Sequence, residues 1–340
     1  MNLNDETYGR FGLVRDMLST PQIVASFDAD QATGTAEQIA SVGRLFLTGE
    51  GSSRLFPAKH AVMQARQHGG RLQLHTESGR QAQEYQLDDW VVLGVSNSGK
   101  TSEVIKLFQD LSRGGHRHLY SLTATAGSKL EGLATKGYVL TCGQEGAVAA
   151  TKSVIEQALF CQALVDHATG RLVLNKAVLA DLAAAIGQAL AMKLDPALVD
   201  RVAGASTIYF AGRNDGVAEE LTLKTNEITR KRSDYLEGTY AVHGIEEVMD
   251  KDDCLVWIDP YQDAESKFSQ VLCDGVGLSV VAIADRPTRF ATIQTPVCES
   301  LSGYVSMAAG WNLLVEVGVQ LGIDLDKPQR ARKVGNEFVG

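Results

Sequence analysis

Val91-Val-Leu-Gly-Val-Ser-Asn-Ser-Gly-Lys-Thr101 runs from five apolar residues into a polar turn, and a helical pattern follows it. A short apolar run closed by Gly and Ser, then a helix, is the signature of a buried strand in a βαβ unit. The same alternation continues on both sides. Leu45 to Gly49, Leu72 to His75, His118 to Thr123 and Tyr138 to Thr141 read as the companion strands of Trp90 to Ser96. A second set follows later, at Thr207 to Gly212, Cys254 to Ile258, Leu278 to Ala284 and Ala291 to Thr295. Between the sets, Thr151 to Val202 is rich in Ala and Leu with apolar residues at i, i+3 and i+4, which predicts two or more helices broken near Gly170.

Each set opens alike, with Leu47-Thr-Gly-Glu-Gly-Ser-Ser53 matching Tyr209-Phe-Ala-Gly-Arg-Asn-Asp215 in pattern. The expected fold is therefore α/β and approximately duplicated, two subdomains each with a parallel sheet flanked by helices. The expected layout is a helical segment over 1–40, a first subdomain over 41–170, a connecting helix over 171–200 and a second subdomain over 201–340. A chain of 340 residues has room for about two such domains.

Composition narrows the function. Apolar residues make up 44% and charged residues 21%, as in an ordinary globular protein. The net charge of −9 has the wrong sign for a nucleic-acid or anionic-membrane binder, so neither partner is expected. No apolar run reaches the roughly 18 residues of a membrane span, and Met1 to Arg15 does not read as a signal peptide, so a cytoplasmic location is expected. Cys142, Cys161, Cys254, Cys273 and Cys298 show no CxxC spacing and read as free thiols, with no metal or other cofactor expected.

Gly94 to Thr101 satisfies the phosphate-loop pattern GxxxxGK[ST], and Leu255-Val-Trp-Ile-Asp259 could pass for its magnesium-binding partner strand. The loop interior is nonetheless Ser-Asn-Ser, whose hydroxyl and amide donors suit a compact anion at a helix N-terminus and require no magnesium. Elsewhere, Leu223-Lys-Thr-Asn-Glu-Ile-Thr-Arg230 places Lys224 and Glu227 at i and i+3, on one helical face. His243 follows within Tyr235-Leu-Glu-Gly-Thr-Tyr-Ala-Val-His-Gly244, and Asp324-Leu-Asp-Lys-Pro328 precedes Lys333.

Ser96-Asn-Ser-Gly-Lys-Thr101, Val148-Ala-Ala-Thr-Lys152, Leu223 to Ile228, His243-Gly244 and Asp324 to Pro328, in that order, resemble the sugar isomerase (SIS) family. More narrowly, they resemble the isomerase half of glucosamine-6-phosphate synthase, from about Gly43 to Phe338. The resemblance implies flavodoxin-like SIS subdomains. It implies that Ser53, Ser96, Asn97, Ser98 and Thr101 hold the phosphate of a sugar, with Val148 and Ala150 against the substrate. Lys100 is then incidental to the phosphate-loop pattern. Ser53 could equally cap a helix.

Glu227 matches the carboxylate that moves a proton between C1 and C2, and Lys224 would position the adjoining oxygens. Standing alone, the two would be an ordinary helix salt bridge. His243 matches the residue that opens the sugar ring, reaching the site from the neighbouring subunit of a homodimer. Lys333 matches a lysine able to form an imine with a keto sugar, though a lysine beside Arg330 and Arg332 could be merely solvated charge. Two positions depart from the synthase: Ala150 replaces Ser, and Ile245 follows His243-Gly244 in place of Pro.

The synthase draws ammonia from a domain whose first residue is a nucleophilic cysteine. This sequence starts Met1-Asn2, has no cysteine before Cys142, and has about forty residues ahead of its first strand, too few for another domain. The expectation is a glucosamine-6-phosphate deaminase giving fructose 6-phosphate and ammonia. The alternatives are an aldose-ketose isomerase of a sugar bearing a C6 phosphate or sulfonate, a fructosamine-6-phosphate deglycase, or a module that only senses sugar phosphates.

Overall fold

The computed structural model describes residues 1–339. They form two compact units, one of Ile23–Glu145, Ala150–Leu179 and 332–339, the other of Met1–Gln22, Gly146–Ala149 and Ala180–Ala331. Each unit is assembled from separate stretches of sequence.

The first unit holds β1 (Arg44–Gly49), β2 (Gln73–Ser78), β3 (Val91–Val95), β4 (Leu119–Thr123) and β5 (Lys136–Val139). They form one sheet in the order β2-β1-β3-β4-β5, every pair parallel. All five residues of β3 and of β4 are buried; β3 reads as an unbroken apolar run, whereas β4 carries Ser121 and Thr123 among Leu119, Tyr120 and Leu122. Phe46, Val92 and Leu119 of the sheet pack with Val104, Ile105 and Phe108 of the helix Ser102–Arg113. A Cβ on Gly94 would lie 2.6 Å from the Phe108 ring, so this glycine admits the helix to the sheet rather than a polyphosphate to the loop.

The second unit holds β6 (Thr207–Gly212), β7 (Arg232–Glu237), β8 (Cys254–Ile258), β9 (Ser279–Ala284) and β10 (Ala291–Gln294). Their order is β10-β9-β8-β6-β7, again wholly parallel. Read from the β7 edge, this is the same 2-1-3-4-5 order as the first sheet, the order of flavodoxin-like folds. The duplicated pattern in the sequence is thus a duplicated topology. Trp257 of β8 anchors this core, stacked on Phe268 with ring centroids 3.6 Å apart.

One strand escapes the sequence pattern. β7 is an edge strand in which Leu236 alone is fully buried, so Arg232-Ser-Asp-Tyr-Leu-Glu237 lacks the apolar run that marks its neighbours. The Ala- and Leu-rich stretch forms three helices, Lys152–Ala168, Lys176–Ala191 and Pro196–Gly204, the first ending just before Gly170 with its φ of +74°. Residues Ser153 through Asp166 are buried all round that first helix.

Cys161 and Cys254 are buried, and burial pushes both thiols up to about 12, which keeps them protonated. Among the described residues no single helix is long and apolar enough to cross a membrane.

Candidate active site

In a parallel sheet of this order, the crevice lies beyond the carboxyl ends of the two neighbouring strands whose connections depart in opposite directions. In the first sheet those strands are β1 and β3, in register from Leu45 opposite Val91 to Thr48 opposite Gly94. Ser53 ends the short turn Gly51–Ser53 after β1, and Ser96 to Thr101 follow β3. The two Ser-bearing turns therefore share one crevice.

The second turn is tightly built. Ser96 is buried and its Oγ lies 2.8 Å from Thr101 Oγ1. Gly99 N donates to Ser96 O at 3.0 Å, and Lys100 N donates to Ser98 Oγ at 3.1 Å. Gly99 sits at a φ of +61°, where a side chain is strained, and an added Cβ would collide with Ser128. Thr101 occupies the N-cap of the helix Ser102–Arg113 without a side-chain cap bond. The crevice thus combines hydroxyls with a helix N-terminus, a setting that favours an anion.

Lys100 is turned to another use, pairing with Glu337 at 3.0 Å. Asp259, at the end of the strand that would bind magnesium, is paired at 2.6 Å with Arg213, and β8 belongs to the other sheet from β3. The phosphate-loop pattern is therefore coincidental, in agreement with the chemistry of the Ser-Asn-Ser interior.

Glu145 is a residue the sequence did not mark. Its side chain is fully buried; Oε1 accepts from Thr151 N at 2.7 Å, Ser153 N at 3.2 Å and Ser153 Oγ at 3.1 Å. Oε2 accepts from Asn97 Nδ2 at 3.3 Å and from Lys333 Nζ at 2.8 Å. Two of the expected site residues, Asn97 and Lys333, are thereby joined through one carboxylate. Ala150 is half-buried in the turn that leads to Thr151.

In the second unit the helix Val217–Thr229 carries Lys224 and Glu227 on one face, as their spacing requires. Lys224 Nζ donates to Glu227 Oε2 at 2.6 Å and lies 3.3 Å from Glu220 Oε1. Lys224 and Glu220 have fully buried side chains, whereas that of Glu227 is 23% exposed. Glu220 was missed although its i−4 spacing from Lys224 was legible. A buried ammonium between two carboxylates holds the outer one in place as a base that a ligand can reach.

His243 follows the short turn Tyr240–Val242, exposed, with its Nε2 3.3 Å from Thr239 Oγ1. Val148 N donates to Asp326 O at 3.3 Å. The Asp324-Leu-Asp motif is structural. The Asp326 carboxylate accepts from Gly12 N and Leu13 N, both at 2.8 Å, capping the helix Gly12–Ala25, while Leu325 is buried.

The crevice of the second sheet is furnished differently. After β6 stand Arg213 and Asp215, and after β8 stand Asp259 and Tyr261. Asp215 Oδ1 accepts from Val217 N at 3.0 Å, so a carboxylate already caps this helix. Burial raises the Asp215 carboxyl to about 6. The Arg213 guanidinium is spoken for, paired with Asp259 and lying 4.4 Å over the Tyr261 ring.

Known proteins share this architecture. No protein-family model matches the chain. It is similar to the glutamine–fructose-6-phosphate aminotransferase (isomerizing) of Halobacterium salinarum, 26% identical over 276 residues, which are 74% of this chain and 46% of that protein. The chain spans about half the length of this curated relative. In structure it is similar to the C-terminal domain of glucosamine-fructose-6-phosphate aminotransferase from Francisella tularensis, with a TM-score of 0.78 at 17% identity over 94% of this chain and 98% of that one. It is also similar to the glucosamine-6-phosphate deaminase of Thermotoga maritima, with a TM-score of 0.72 at 16% identity over 95% and 99%. The chain has the two-subdomain fold of the SIS proteins, which it also resembles in the order of its motifs.

Proposed function

We propose that the chain is a sugar-phosphate enzyme of the isomerase type, and specifically a glucosamine-6-phosphate deaminase. The observation that carries this is the Lys224–Glu227 pair, a buried ammonium fixing a solvent-reachable carboxylate at 2.6 Å. Moving a proton between adjacent carbons of an open-chain sugar needs one positioned base, and Glu227 has that character. The Ser-lined helix N-terminus after β3 supports an anionic substituent, held without a metal. Relatives named as acting on fructose 6-phosphate and glucosamine 6-phosphate support the choice of sugar.

In the proposed sequence Ser53, Ser96, Asn97, Ser98 and Thr101 bind the phosphate, and Val148 and Ala150 line the sugar. His243 opens the pyranose ring, passing a proton between the ring oxygen and the C1 hydroxyl, and does so from the neighbouring subunit of a homodimer. Glu227 removes the proton at C2 and returns it at C1, giving the C2 imine. Water adds to that imine and ammonia leaves, which yields fructose 6-phosphate. Lys224 holds the Glu227 carboxylate and faces the negative charge that develops on the enediol-like intermediate.

Purified protein given glucosamine 6-phosphate should release ammonia and fructose 6-phosphate in equal amounts, and the Glu227→Gln variant should release neither. Conversion of an aldose 6-phosphate to its ketose without ammonia would instead mark an aldose-ketose isomerase. Ammonia-free binding of sugar phosphates with no turnover would mark a sensor.

A further inference from the structure

We propose that Glu145 is a positioning residue which fixes the Ser96–Thr101 turn and, by ion pairing, withholds the Lys333 amine from addition to a carbonyl. The carboxylate precedes the helix Lys152–Ala168 and is fully buried, yet it receives five donors. Capping that helix would occupy one oxygen, and Oε1 does this with Thr151 N and both donors of Ser153. Oε2 stands outside that cap and takes Asn97 Nδ2 and Lys333 Nζ instead. Asn97 Nδ2 also reaches Ser153 Oγ at 3.1 Å, so the amide is held from two sides and its orientation is set.

For Lys333 the consequence is chemical. Imine formation needs the neutral amine: the nitrogen lone pair adds to the carbonyl carbon, the C–O π pair moves to oxygen, and water leaves as the C=N bond forms. A lysine paired at 2.8 Å with a buried carboxylate must give up that pairing before its nitrogen can add to a carbonyl. In this arrangement Lys333 presents a positive charge rather than a nucleophile. The positioning of Asn97 and Lys333 rests on geometry alone. Its bearing on keto sugars rests on the function proposed above.

Reductive methylation with formaldehyde and a borane at neutral pH, followed by peptide mass spectrometry, tests the ion pair without any sugar. With exposed Lys251 as internal standard, Lys333 should react at least about fivefold more slowly in the wild-type protein. Glu145→Gln should erase that difference, and Glu145→Asp, which keeps the charge, should restore most of it. Equal rates at Lys333 and Lys251 in the wild-type protein would overturn the proposal even if a variant fails to fold.

Borohydride trapping with fructose 6-phosphate tests the second half. Glu145→Gln should gain at least about fivefold in reduced adduct on Lys333, and binding of the sugar by calorimetry without any adduct would overturn the withholding role. Absence of sugar binding in the wild-type protein would count against the sugar-phosphate function instead. The methylation rates decide the ion pair in either case.

Discussion

Lys224 Nζ lies 2.6 Å from Glu227 Oε2 and 3.3 Å from Glu220 Oε1, and only Glu227 of the three side chains meets solvent. The ammonium therefore belongs to the interior while its outer partner faces solvent. Glu227→Gln keeps the shape and loses the base, so turnover of glucosamine 6-phosphate should fall by about 10²- to 10⁴-fold. Calorimetric affinity for the sugar phosphate should change by less than about threefold, because the proposed phosphate donors lie elsewhere.

Glu220 is fully buried beside Lys224, so its removal is expected to act on folding. Removing it leaves a buried ammonium with half its compensation, so Glu220→Ala should lower stability by about 3 kcal/mol in urea unfolding. The double variant Glu220→Leu/Lys224→Met replaces the buried charges with apolar groups of similar volume, and should recover most of that loss while remaining inactive. Stability and activity would thereby be separated within one cluster of charges.

The strands β3, β4, β6, β8 and β9 were legible because a sheet covered on both faces demands runs that are mostly apolar. β7 was not, since an edge strand can be polar and is defined by its hydrogen bonds to β6, which no local pattern reveals. The pairing of Lys224 with Glu227 followed from helical periodicity, and Glu220 could have been added by the same rule. Glu145 could not: its partners Asn97 and Lys333 are 48 and 188 residues away in sequence. The capping role of Asp326 was hidden for the same reason, because the helix it caps begins at Gly12.

Gly99→Ala should be costly twice over, through its positive φ and through collision with Ser128. A loss of about 1–3 kcal/mol in stability is expected, with weaker sugar-phosphate binding because the displaced turn carries Ser98. Thermal unfolding with and without the ligand measures both effects.

His60 is buried against Phe56, with ring centroids 4.9 Å apart, and burial lowers its imidazole from 6.5 to about 3. Below pH 6.5 the unfolded chain binds this proton and the folded chain does not, so folding stability falls as pH drops from 6.5 towards 3. The slope is at most ~1.4 kcal/mol per pH unit. Above pH 6.5 both states are neutral and the effect vanishes. The His60→Gln variant should lose less thermal stability than the wild-type protein between pH 7 and pH 5.

The two sheets share one strand order, yet only one of their crevices is dressed for an anion. A phosphate entering beyond β6 and β8 would find the helix N-terminus already taken by Asp215, with the Asp259 carboxylate nearby and the Arg213 charge engaged. The internal symmetry of the backbone is thus broken in its chemistry. A saturation titration with inorganic phosphate or a sugar phosphate should level off at one molecule per chain, not two.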